Sequence, residues 1–177
     1  MNHSIRVASP ADLEPMLALF PRLAAFPLPP ERRAEHLWEG DADLLRRWST
    51  GSVPQCLVFV AVDSDARIVG VAMAQLREEL LSHEPSAHLE VVAVHANAEG
   101  RGIGQRLIEA IERAVQDRGA ESLTLHVFGR NTRARAVYER LGFTGELIRY
   151  IKYLGGPSVT PRLTDSGSTI PEPGRVL

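Results

Sequence analysis

Apolar and polar positions alternate through "SIRVAS" and stop at Pro10, which predicts a short first strand over residues 4–9. Ser9 or Asp12 stands where it can cap a helix over "ADLEPMLALFPRLAAF". Pro15 is tolerable there only in the first turn, where a missing N–H costs least. "AFPLPPERR" breaks this helix, and a second is predicted over residues 31–48, with Leu37, Trp38, Leu44, Leu45 and Trp48 set among charges. "QCLVFVAVD" and "IVGVAMAQLRE" are apolar runs joined by the turn "SDAR", so they predict a hairpin. "AHLEVVAV" predicts a fourth strand.

The rhythm then changes. Over residues 102–118 the apolar positions Ile103, Leu107, Ala110, Ile111, Ala114 and Val115 share one face of a helix, and Gly119 is placed to end it. "SLTLHVF" predicts a fifth strand. Asn131 has the character of an N-cap for a helix whose one face carries Ala134, Val137, Tyr138 and Leu141, with Gly142 at its end. "ELIRYIKYL", residues 146–154, predicts a last strand. The order β-α-α-β-β-β-α-β-α-β implies an α/β sheet with helices on both faces, forming one domain over residues 1–154. Of the 23 residues 155–177, 14 are Gly, Pro, Ser or Thr, which predicts a flexible tail. The rival reading is an arm that docks on a neighbour through Val176 and Leu177.

Composition narrows the class without naming a chemistry. A net charge of −2 gives no sign of a broad nucleic-acid-binding surface. No apolar stretch nears 18 residues, so neither a membrane span nor a secretion signal is expected, and a cytoplasmic protein is. The single cysteine, Cys56, sits in an apolar run and excludes a disulfide within the chain. No metal site is expected.

The chemistry concentrates in "EVVAVHANAEGRGIGQRLIEAIERAV". Gly100, Gly102 and Gly104 stand between a strand and a helix. Such a turn aims several backbone N–H groups in one direction, at a helix end that is already partly positive, and so suits a phosphate. Arg101 and Arg106 add charge. The bland alternative is a tight turn that binds nothing. There is no G-x-x-x-x-G-K-[ST] loop. A dinucleotide fingerprint is also unlike this one, because the strand before the glycines is the fourth and not the first.

Together, two segments resemble a known family. "LEVVAVHANAEGRGIGQRLIEAIERA" resembles the acetyl-CoA-binding motif of the GCN5-related N-acetyltransferases (GNAT), a strand followed by [QR]-x-x-G-x-[GA] and a helix. "GRNTRARAVYERLGF" resembles their second signature, carried here by Asn131, Ala134, Tyr138, Leu141, Gly142 and Phe143. The resemblance implies a mixed, mostly antiparallel central sheet whose fourth and fifth strands splay apart. It implies acetyl-CoA as acyl donor, with its pantetheine arm on main-chain groups of Val92, Ala93 and Val94. It also implies a pyrophosphate on Glu99, Gly100, Arg101, Gly102, Ile103, Gly104 and Gln105, with Asn131 and Tyr138 completing the donor site. Where the family has Arg or Gln, this chain has Glu99, and a carboxylate there is expected to weaken the hold on the donor unless it points away to pair with Arg101 or Arg130.

The implied reaction is direct attack of a primary amine on the thioester in a ternary complex. Tyr138 takes the family's acid position. His88 and Glu90 are the candidate bases, two apart on one strand and so on one face, with Glu90 slightly favoured. His126 is read as structural. Glu78, Glu79 and Glu84, with Phe26 and Trp38, are expected to flank the acceptor, an unidentified small molecule or peptide. The alternatives are a non-catalytic acyl-CoA-binding or regulatory module and a transferase for a longer acyl-CoA. The resemblance also allows a homodimer, and no feature of the sequence decides it.

Overall fold

A computed structural model describes residues 3–154. The tail expected over residues 155–177 lies outside them. One compact unit ends at Thr144 and a second begins at Gly145, and each is described by itself.

The first unit is built on five strands in the order β1-β2-β3-β4-β5: β1 Ser4–Val7, β2 Cys56–Val62, β3 Ile68–Glu78, β4 Pro85–Val94 and β5 Ser122–Leu125. The first four are antiparallel neighbours, and β5 joins β4 in parallel. Four helices accompany them: α1 Leu13–Leu17, α2 Glu39–Ser49, α3 Ile103–Gln116 and α4 Thr132–Arg140. The sheet therefore has the mixed, mostly antiparallel character expected of it.

Alternation along the strands divides the core in two, and in β4 it changes phase between Leu89 and Val91. On one face Val58, Val60, Val71, Met73, Val91 and Ala93 meet Met16, Phe20, Ala42 and Leu45 from the N-terminal helices. On the other, Ala61, Ala72, Ala74 and Leu89 meet Ile103, Leu107, Ile108 and Ile111 of α3, with Tyr138 and Leu141 of α4 at the margin. Gly70 lets α3 lie close to β3. A Cβ at that position would stand 3.0 Å from Leu107 Cδ1 and 3.1 Å from Ile103 Cγ2.

Four expectations need correction. The first predicted helix is short: α1 ends at Leu17 and a 3-10 turn, Phe20–Ala24, follows. Pro21 has no N–H to give the Leu17 carbonyl and its ring collides with it, so the helix cannot run through. The second helix starts at Glu39 and not at 31, because Trp38 leaves helical geometry (φ −144°) and packs its ring on the core. The fifth strand stops at Leu125, short of "HVF". The strand expected over residues 146–154 does not form. Its apolar alternation is present, but a strand exists only where another backbone pairs with it.

Candidate active site

The sheet opens at a defined point. β4 and β5 pair over Ser86↔Ser122, Ala87↔Leu123, His88↔Thr124 and Leu89↔Leu125, and there the pairing ends. β4 runs on to Val94, held by β3 alone. The break coincides with a bulge: Met73 faces Val91 and Ala74 faces Leu89, leaving Glu90 as the extra residue. Beyond it, the edge of β4 at Val92, Ala93 and Val94 that faces away from β3 has no strand partner among the described residues. That leaves free backbone donors and acceptors along one wall of a cleft.

His88 and Glu90 stand at the fork. The His88 ring is buried at 3 % exposure. Its Nδ1 lies 2.8 Å from Thr124 Oγ1, and the Thr124 hydroxyl donates to the Ala87 carbonyl at 3.2 Å. Nε2 faces Glu90 Oε2 at 4.0 Å, and Arg77 Nη1 is 4.0 Å from Glu90 Oε1. Burial, with Arg77 and the His126 ring nearby, lowers the His88 pKa from 6.5 to about 4, so His88 is neutral at neutral pH and its approach to Glu90 is not an ion pair. Burial raises the Glu90 carboxyl above the ordinary range, with Arg77 opposing. His126 lies against His88, ring centroids 4.5 Å apart.

Two further groups share this electrostatic neighbourhood, and neither was expected in it. Burial, reinforced by Glu90, pushes the Asp41 carboxyl on α2 up to about 7. The same two causes push the Cys56 thiol up to about 12. A buried thiol this reluctant to ionise is no nucleophile.

Tyr138 lies across the sheet, in the α3–α4 layer, its ring edge-on to Phe143 at 5.8 Å. Its hydroxyl makes no hydrogen bond to another described residue, and burial raises its pKa, so it stays a phenol with a proton to give. The structure thus brings His88 and Glu90 together and sets Tyr138 on the opposite face of the opened sheet.

The glycine turn follows β4. Gly100 and Gly102 adopt φ of +73° and +71°, a conformation that side chains rarely accept. Gly102 caps α3, and the first helical bond runs from Arg106 N–H to its carbonyl at 3.1 Å. The N–H groups of Ile103, Gly104 and Gln105 thus lack helical partners and form a cluster of donors at the positive end of a four-turn helix. The Ile103 side chain is core, at 2 % exposure, and the Gln105 amide donates to Glu109 at 2.9 Å, so both offer a ligand their backbone. A Cβ at Gly104 would point at Val92 and Val94, 3.9 and 3.8 Å away, so this glycine faces the sheet and not an incoming ligand. Asn131 caps α4, its Oδ1 accepting from Ala134 N–H at 3.2 Å.

Glu99 does not stand alone. Its Oε1 accepts from Arg22 Nη2 at 2.7 Å and its Oε2 from Arg133 Nη1 at 2.6 Å. Neither is the Arg101 or Arg130 that the spacing suggested. The two hydrogen bonds, Arg22's first, hold its carboxyl below the ordinary range. On the acceptor side, Glu79 is committed to the β3–β4 turn, accepting from the N–H groups of Leu81 and Ser82 at 2.7 Å each. Phe26 meets Phe128 at 5.4 Å between ring centroids. Trp38 packs on the core with its Nε1–H buried and unpartnered among the described residues. Among these residues no group of three or more His, Cys, Asp or Glu is placed to hold a metal ion, and no helix is long and apolar enough to cross a membrane.

Solved acetyltransferase structures share this fold. An aminoglycoside antibiotic 6'-N-acetyltransferase from Acinetobacter baumannii superposes with a TM-score of 0.65 at 20% identity, covering 88% of this chain and 100% of that one. AAC(6')-Iy, solved with the bisubstrate analogue CoA-S-monomethyl-acetylneamine, superposes at 0.64 with 23% identity, covering 86% and 99%. In sequence, the mycothiol acetyltransferase of Pseudarthrobacter chlorophenolicus is 32% identical over 103 residues, 58% of this chain and 32% of that protein. The chain thus spans about a third of the length of the curated relatives it matches. Residues 19–143 match the Acetyltransferase (GNAT) family, and the chain belongs to it.

Proposed function

We propose that the protein is an N-acetyltransferase that moves an acetyl group from acetyl-CoA to a primary amine of a small molecule or peptide. The observation that carries this reading is the fork: β4 and β5 part at Leu89 and Leu125, with a neutral histidine and a raised carboxyl at the parting. In this reading the open edge of β4 at Val92, Ala93 and Val94 pairs with the pantetheine arm. The N–H groups of the Gly100–Gln105 turn hold the pyrophosphate. One β4 N–H stabilises the oxyanion that forms when the amine attacks the thioester carbonyl.

Two proton transfers remain. Glu90 takes the proton of the incoming ammonium. Its raised pKa brings it nearer that of an amine, and the neutral His88 ring lies beside it. Tyr138 gives its proton to the departing thiolate from the other face of the sheet. Attack is direct, since the one cysteine is buried and its thiol is held un-ionised. The aminoglycoside and mycothiol enzymes among its relatives support acetylation of a small amine.

Thiol release from acetyl-CoA across a panel of primary amines tests the proposal. Amine-dependent release above the background hydrolysis rate is expected for at least one member. Tight acetyl-CoA binding without release to any amine would favour the non-catalytic module, and release only from longer acyl-CoAs would change the donor.

A further inference from the structure

The family's motif puts one cation or amide where this chain has Glu99. The charge lost there is made good from elsewhere. Arg22 comes from the 3-10 turn after α1, and Arg133 from the first turn of α4. Each guanidinium takes one oxygen of the same carboxylate, at 2.7 and 2.6 Å. With both arginines counted, the cluster carries one net positive charge, as a lone arginine at position 99 would. Neither guanidinium is used up. The Arg133 side chain is 70% exposed and that of Arg22 35%, so each can present further N–H donors to a ligand at the surface. Glu99 itself has both oxygens filled and directly precedes the turn whose N–H groups form the candidate phosphate cradle.

We propose that Glu99 is a positioning residue for the donor: it sets Arg22 and Arg133 beside the diphosphate, and the two arginines, with the backbone of the turn, hold the phosphate oxygens. The inference rests on acetyl-CoA being the donor. It reverses the sign expected of a bare carboxylate at this position, which would repel the phosphates. Arg22 also links the donor loop to the segment that carries Phe26, which reaches Phe128 beyond β5.

Steady-state kinetics of Glu99→Gln, Arg133→Ala and the double variant test this, with acetyl-CoA and with S-acetylpantetheine, which has no diphosphate. Glu99→Gln is expected to raise KM for acetyl-CoA about 3–10-fold with kcat within twofold, and to leave KM for S-acetylpantetheine unchanged. The double variant is expected to be little worse than the poorer single one, because both act on one contact. Glu99→Asp, a shorter carboxylate, is expected to recover part of the loss. A lower or unchanged KM for acetyl-CoA in Glu99→Gln overturns the inference, as does an equal loss with both donors, which marks a general structural role. Calorimetry with coenzyme A makes the same comparison without an acceptor. Binding by the wild type with no change in Glu99→Gln sinks this inference alone, whereas no binding by the wild type sinks the donor reading and this inference with it.

Discussion

Lowering the pH from 7 to 5 puts a proton on His88 in the unfolded chain long before the folded protein will take one. Burial holds the folded pKa at about 4 against 6.5 for the free side chain. The stability that comes from a neutral His88 is therefore fully present above pH 6.5 and drains away as the pH falls toward 4. For these two values, linkage gives a loss of about 2 kcal/mol at pH 5, rising to about 3 kcal/mol at pH 4. His88→Gln removes the titration and keeps an amide that can donate to or accept from Thr124 Oγ1. Urea unfolding of both proteins at pH 7, 6 and 5 isolates the effect, since every other titrating group is common to the pair. The stability advantage of wild type over His88→Gln should shrink by about 2 kcal/mol between pH 7 and pH 5. Parallel pH profiles would contradict this: His88 would then titrate as it does in the unfolded chain, and its burial would not hold its pKa down.

Tyr138→Phe should lower kcat with the best amine ~10²-fold or more while changing KM for acetyl-CoA little. An unchanged kcat would leave Tyr138 as packing against Phe143. Gly70→Val should destabilise by about 2 kcal/mol, because its side chain must enter the space of Leu107 and Ile103. Gly104→Ala should be neutral or stabilising by up to ~1 kcal/mol, because its methyl has ordinary contact distances to Val92 and Val94. Thermal melts of the two variants without ligand check both, and a Gly104→Ala protein that melts lower than Gly70→Val would contradict the packing.

What could be read from the sequence follows from where each determinant lies. β3 was readable to its ends, because a strand buried on both faces stands out as an apolar run, here opened by the turn "SDAR" and closed by charges. α3 was readable from its apolar face and from Gly102 and Gly119 at its ends. The break of the first helix was present as Pro21 but was outweighed by the apolar rhythm around it. The early end of β5 was not readable: "SLTLHVF" stays strand-like to Phe128, and only the bulge at Glu90 on the neighbouring strand says where the pairing must stop. The same limit applies at the site. His88 and Glu90 are two apart on one strand and were found together. Thr124, which meets His88 Nδ1, is visible only once the β4–β5 register is known. Glu99 stood out by its charge, but its partners are 77 and 34 residues away in sequence, and no local pattern marks either arginine.

In the proposed function the open edge of β4 and the glycine turn together hold an acyl-CoA. Titration calorimetry of the wild-type protein with coenzyme A and with pantetheine, its arm without the diphosphate, tests this most directly. Saturable binding of coenzyme A is expected, with binding of pantetheine at least tenfold weaker, because the turn's N–H groups and its arginines would have lost their ligand. Equal affinity for the two, or no binding of coenzyme A at all, would contradict it.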